Sequence, residues 1–277
     1  METQHINLPN SMDQLFTYTW KATNPMANLL IVHGGFEHAG RYQDVASFFA
    51  NKGYNVFAYD HRYHGQSSGE MGYFESFQHL IDDLNVTKEW AFKNSNLPNF
   101  ILSHSLGGLV TFLNTIEQKG GPKIEGYVYS APGLIIDPNL SPILQKLSGI
   151  LGRLVPKLAT ISLDSNFVSR DQAVRDKYNE DPLNYRGKIK AKTGFEVLKF
   201  TKKAQQSLAD LIEPFIVLQG TEDKLIDPRA SKYLYEQASS KDKTLKQYPG
   251  LYHEILNEPE RHEVMDDMLE WMQKRMP

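Results

Sequence analysis

Five short apolar runs rich in β-branched and aromatic residues recur along the chain, at 29–33, 55–59, 100–103, 127–130 and 215–219. Each is followed by a turn and then by apolar residues at helical spacing, which predicts a parallel sheet covered on both faces by helices. One helix is expected over 41–52, with Val45, Phe48 and Phe49 on one face and Gly53 as terminator. Others are expected over 77–92, with Leu80, Ile81, Leu84 and Trp90 inward, and over 106–118. The last spans 259–275, with Pro259 near its first turn and Val264, Met268, Leu269 and Met272 as its stripe. Residues 15–20 alternate and fit an antiparallel edge strand. This succession of strands and helices means an α/β fold.

One interval breaks the rhythm. About eighty residues between Pro132 and Pro214 hold no convincing apolar strand, far more than a βα connection needs. The expected organisation is therefore a core built from 1–132 and 214–277, with 133–213 inserted as a helical cap. The cap opens with a basic amphipathic helix over 140–158, kinked near Pro156. Leu144, Leu147, Leu151, Leu154, Val155 and Leu158 recur there at helical spacing, with Lys146, Arg153 and Lys157 between them. That face suits a lid whose Leu147 and Leu151 touch substrate, transient contact with a membrane surface, or plain packing on the core.

Composition narrows the function. At 277 residues and 40% hydrophobic content the chain can bury a large core, and without Cys it has no disulfide, thiolate metal site or cysteine nucleophile. Thirty Lys and Arg against 33 Asp and Glu give a net charge of −3, so no basic field collects nucleic acid. The start lacks a basic and apolar leader, and no stretch approaches 18 uninterrupted apolar residues. A cytoplasmic protein, at most peripheral to a membrane, is expected.

The sharpest local signal is Ser103-His104-Ser105-Leu106-Gly107-Gly108, between a strand and a helix. A Ser flanked by small residues two positions away on each side is the nucleophile elbow, whose strained turn lifts the hydroxyl and brings helix and strand together. The Leu106 N–H, at the helix start, is one candidate oxyanion donor. Gly35, in His33-Gly34-Gly35-Phe36-Glu37 after the first apolar run, is the other.

A hydroxyl needs a base and an orienting acid, which follow the Ser in the order acid, then His. Asp223, in Gly220-Thr221-Glu222-Asp223 just past a strand, is the expected acid; Glu222 and Asp227 compete, and Asp227 fits better as a cap for the helix after Pro228. His253, after a short strand at 245–248, is the expected base. Among the other histidines, His5, His79 and His262 are expected at the surface and His104 as a packed, hydrogen-bonded residue. His61 and His64 lack a third ligand motif and read as a structural turn. No metal and no cofactor are called for.

Together with Glu37-His38-Ala39-Gly40-Arg41-Tyr42, Asp60-His61-Arg62-Tyr63-His64-Gly65-Gln66-Ser67, Ser169-Arg170-Asp171, Asp181-Pro182-Leu183 and Tyr252-His253, these motifs resemble the monoacylglycerol lipase family of α/β-hydrolases nearly end to end. The resemblance implies an α/β-hydrolase fold with a mostly parallel sheet. It also implies cofactor-free ester hydrolysis of a single-chain lipid by Ser105, Asp223 and His253, with the Gly35 and Leu106 amides as oxyanion hole. Glu37 and Arg41 match positions that shape the polar end of the pocket in that family. Two departures stand out: Ser103 replaces the usual Gly, and Leu256 stands where relatives often carry a second His. A lysophospholipase, a broad esterase or a peptidase of the same fold would share the triad, and a non-catalytic ligand-binding protein with a hydrolase pocket is the reading from another class, whereas epoxide hydrolases and haloalkane dehalogenases would need Asp in place of Ser105.

Overall fold

The computed structural model describes residues 1–117, 120–135 and 142–276, without the side chains of 142–146. Eight strands among them form one sheet: β1 (Glu2–Asn7), β2 (Gln14–Trp20), β3 (Ala27–Val32), β4 (Tyr54–Tyr59), β5 (Asn99–His104), β6 (Gly126–Ser130), β7 (Phe215–Gly220) and β8 (Lys243–Tyr248). Their spatial order is β1-β2-β4-β3-β5-β6-β7-β8. The β1–β2 and β2–β4 pairs are antiparallel and the remainder parallel. Central strands β3, β5, β6 and β7 are buried at every residue, which is why each reads as an unbroken apolar run.

Side chains leave each strand alternately, so the sheet feeds two cores. Leu29 and Ile31 pack with Val45 and Phe49 of α1 (Gln43–Asn51) and with Val264 and Met268 of α8 (Arg261–Gln273). Leu30 and Val32 face α2 (Phe77–Phe92), α3 (Leu106–Glu117) and α7 (Arg229–Gln237) through residues such as Leu80, Phe112 and Leu234.

Several boundaries differ from expectation. Strand β2 is not an edge, because β1 pairs along it from Glu2↔Thr19 to Asn7↔Gln14. With one apolar side chain, Ile6, β1 carries no hydrophobic signature and forms because its backbone completes the ladder. Helix α8 starts two residues after Pro259, which lies in the preceding turn. His79 is half-buried, its Nδ1 2.6 Å from the Tyr63 hydroxyl, rather than at the surface. The expected end of the third helix at Gln118 and the start of the cap helix at Leu140 lie outside the described residues.

Between β6 and β7 the chain leaves the sheet and forms α4 (Pro142–Leu154), α5 (Gln172–Glu180) and α6 (Ala191–Gln206). Helix α4 ends at Leu154 instead of kinking at Pro156, whose ring nitrogen has no hydrogen to donate. From there the chain runs alongside 189–192: Thr160 N–H donates to the Ile189 carbonyl, Ala191 N–H to that of Leu158 and Lys192 N–H to that of Pro156. The close approach of α4 to α6 needs Gly152, where a Cβ would stand 2.9 Å from Phe195 Cβ.

Candidate active site

Ser105 sits between β5 and α3 with φ of 50°, a left-handed conformation that a non-glycine residue holds only when its surroundings enforce it. Its N–H donates to the Ser130 carbonyl, and its own carbonyl accepts the amides of Gly108 and Gly133. Helix α3 presses hard on the sheet: a Cβ on Gly107 would lie 2.3 Å from the Val32 carbonyl oxygen and 2.4 Å from that of His33. Ser103, in the place of the usual Gly, is fully buried and donates its hydroxyl to the Val128 carbonyl at 3.3 Å.

The turn after β3 lies against this elbow. A Cβ on Gly34 would be 3.3 Å from Ser105 Cβ, and one on Gly35 would touch Leu106 Cβ at 3.4 Å. The turn is held from inside: Gly34 N–H donates to Glu37 Oε1 at 2.7 Å, and His33 Nδ1 lies 2.7 Å from the Gly34 carbonyl. His61 supports it, its backbone N–H donating to His33 Nε2 and its ring Nε2 to the His33 carbonyl. His61 and His64 are thus buried members of a turn, and among the described residues no group of three or more His, Asp and Glu could hold a metal ion.

Asp223 and His253, thirty residues apart, meet beyond the ends of β7 and β8, with Nδ1 2.7 Å from Asp223 Oδ2. The other carboxylate oxygen accepts the amides of Leu225 and Ile226, both at 2.9 Å. Burial works against both charges, yet the pairing, helped by the Leu225 and Ile226 amides on Asp223 and by Glu254 and Glu37 near His253, outweighs it: the Asp223 pKa lies below the ordinary carboxylate value and the His253 pKa above that of free imidazole. The His104 ring lies 4.7 Å from that of His253, tilted by 48°, but is buried and kept neutral, its pKa pushed down to about 3. Asp227 Oδ1 accepts the Arg229 amide where α7 begins.

Ser105 and His253 open onto one cavity of about 810 Å³. Gly35 and Leu106 line it on the elbow side, and Leu147 and Leu151 of α4 line it from above with Val197 and Leu198 of α6. Leu154, Val155 and Leu158 do not line the cavity and are exposed, Leu154 by 76%, as is Ile150; Leu147 and Ile161 line it while also being partly open to solvent. Glu37 lines the polar end, joined by Glu254, Tyr178 and Arg186. Arg41 is not a lining residue. It lies behind, donating to Glu37 and to both oxygens of Glu254, with its guanidinium 4.8 Å over the Tyr178 ring. Burial alone would raise Glu254, but Arg41 draws it down to about 2. Glu254 gives no pattern signal beyond following His253 directly.

Motifs 169–171 and 181–183 tie the chain between β6 and β7 to Glu258 and to His38. Glu258, fully buried, accepts the backbone and Nε of Arg170 and the amide of Tyr252, beside His253. Asp181 Oδ2 lies 2.9 Å from His38 Nε2.

A strained serine on a strand-to-helix turn, sharing a cavity with a histidine held by a carboxylate on a sheet of this order, defines a serine hydrolase of the α/β-hydrolase fold. Residues 23–260 match the family described as serine aminopeptidase, S33. The monoacylglycerol lipase of Mycolicibacterium smegmatis is 35% identical over 90% of this chain and 89% of its own length, and human monoglyceride lipase is 34% identical over 94% and 87%. The crystal structure of Paleococcus ferrophilus monoacylglycerol lipase superposes with a TM-score of 0.82 at 30% identity, covering 94% of this chain and 99% of that one. The chain belongs to the monoacylglycerol lipase family of α/β-hydrolases.

Proposed function

We propose that this protein hydrolyses monoacylglycerols to fatty acid and glycerol through an acyl-enzyme on Ser105. The observation that carries the reading is His253, held by Asp223, opening with Ser105 onto a cavity walled by apolar side chains and polar at one end. His253 takes the Ser105 proton as the hydroxyl attacks the ester carbonyl, Asp223 orients the ring and stabilises the imidazolium, and the Gly35 and Leu106 amides hold the oxyanion. His253 then returns the proton to the departing glycerol, and water releases the acyl group by the same route. Leu147 and Leu151 contact the acyl chain. Glu37 and Glu254 face the glycerol, and Arg41 acts through them. Residues 1–132 and 214–277 serve as core and 133–213 as cap.

The test is fatty-acid release from a long-chain monoacylglycerol by wild type and by Ser105→Ala. Turnover should fall by several orders of magnitude in a folded variant; a variant with most of its activity left rules the nucleophile out. Release from aminopeptidase substrates but not from the lipid would favour the peptidase reading.

A second substrate class has its own support. Arg186 lines the cavity and has no ion pair among the described residues, so a phosphate on the glycerol has a cation available. Comparing 1-acylglycerol with 1-acylglycerol 3-phosphate on wild type and Arg186→Gln decides it.

Substrate delivery follows from the exposed Ile150, Leu154 and Leu158 and from Ile161, which is exposed and also lines the cavity, a set that suits shallow insertion into a lipid surface. Among the described residues no helix is long and apolar enough to cross a membrane. Sedimentation with liposomes should drop in an Ile150→Asp, Leu154→Asp double variant; unchanged binding removes the membrane role.

A further inference from the structure

Gln219, next to last in β7, aims its carboxamide at the acid of the site. Its Nε2 donates to Asp223 Oδ2 over 2.8 Å, and the same oxygen accepts Nδ1–H of His253 at 2.7 Å. Because Oδ1 is already taken by the Leu225 and Ile226 amides, the carboxylate accepts four hydrogen bonds among the described residues, and among them Gln219 is the one side-chain donor besides the histidine. The orientation of the amide follows from chemistry, since turned over it would set Oε1 against a carboxylate oxygen.

That arrangement costs something elsewhere. Gln219 is fully buried, and its Oε1 has no hydrogen-bond partner among the described residues. A buried acceptor left unpaired is unfavourable, and a Leu or Met of similar volume would avoid it. A strand otherwise apolar, Phe215-Ile216-Val217-Leu218, gives no packing reason for a carboxamide at its end. The contact with Asp223 is the gain that offsets the unpaired oxygen.

We infer that Gln219 is a positioning residue of the triad: sharing Asp223 Oδ2 with His253, it fixes the carboxylate's orientation and withholds part of that oxygen's charge from the imidazole. This rests on the triad reading above. The acidic groups facing the ring push the opposite way: Asp223 itself, Glu254 beside it and Glu37 from the turn after β3 all favour the imidazolium. His104 of β5 is buried against the ring, and Arg41 is committed to Glu37 and Glu254. Beside the Leu225 and Ile226 amides on Oδ1, Gln219 is the side chain that donates to the oxygen facing the ring, and it moderates this pull so that the base can lose its proton more readily.

The experiment follows His253 directly. Its ring and its low-field Nδ1 proton are titrated by NMR in wild type, Gln219→Leu and Gln219→Met, with His253→Ala fixing the resonance assignment. Removing the competing donor should raise the midpoint by about half to one pH unit, a three- to tenfold gain in proton affinity. The Nδ1 proton should move downfield, and the acid limb of kcat/KM should shift up by the same amount. A midpoint unchanged or lowered in whichever of the two variants folds overturns the proposal. The titration is read without turnover, so its failure is distinct from failure of the triad reading, which would appear as ester hydrolysis surviving Ser105→Ala.

Discussion

Arg41 grips both oxygens of Glu254 through two hydrogen bonds of 2.7 Å, 213 residues apart in sequence, while also donating to Glu37. This ties the turn that carries Gly35 to the loop that carries His253, so the two halves of the site are held in register by one guanidinium. Planar, bidentate donation is something a Lys cannot reproduce.

Removing that cation strands two buried carboxylates. Arg41→Gln should therefore destabilise the fold by about 3–5 kcal/mol, the usual consequence of breaking a buried ion pair from one side. Urea unfolding monitored by tryptophan fluorescence measures it, and a loss below about 1 kcal/mol would mean that water replaces the pairing.

Asp223→Asn keeps the shape of the acid but can present an N–H to the imidazole and so favours the wrong tautomer. A fall in kcat of roughly 10⁴ with little change in KM is expected. Steady-state kinetics with a soluble ester tests this, alongside a melting curve to confirm folding.

The approach of α3 to β3 leaves no space for a side chain at Gly107, and both obstructing atoms belong to backbone. Gly107→Ala should cost about 3 kcal/mol and shift the elbow relative to the Gly35 turn. Thermal unfolding and reactivity toward a serine-directed phosphonate should decline together.

Acid should destabilise the protein well above the carboxylate range. Burial holds His61 and His104 down to about 3 and His64 to about 4, while the same residues in the unfolded chain titrate near 6.5. In that window the unfolded state binds more protons, so stability is full above about 6.5 and declines as pH falls toward the folded values. Each of these histidines contributes up to about 1.4 kcal/mol per pH unit there. Urea midpoints at pH 7.5 and 5 should differ accordingly, with the lower stability at pH 5.

Leu151 borders the cavity, so filling space there should shorten the preferred acyl chain. Wild type should gain up to about 0.8 kcal/mol per added CH₂ until the cavity is full, and Leu151→Trp should reach that ceiling several carbons earlier. A series of monoacylglycerols of increasing chain length provides the measurement.

What could be read from the residues was what depends on local pattern. Buried strands β3, β5, β6 and β7 appear as apolar runs because both faces are covered, and the elbow is legible because a strained turn against a strand admits only small neighbours at 103 and 107. Strand β1 was illegible: its pairing is made by backbone, and its side chains are nearly all polar. The end of α4 before Pro156 was hidden because the apolar spacing continues past it while the backbone switches to pairing with 189–192.

The sequence by itself determined the α/β class, the order of candidate acid and base after Ser105, and the long interval between the strands that end at Ser130 and begin at Phe215, since all are set by spacing and residue type along the chain. Only the tertiary structure decided that Arg41 stands behind the cavity rather than in it, that Glu254 lines that cavity, that Glu258 holds Arg170 and the Tyr252 amide, and that Gln219 touches Asp223. The physical reason is the same in each case: a buried polar group must find its partner in three dimensions, and the partner's distance in sequence leaves no periodic trace.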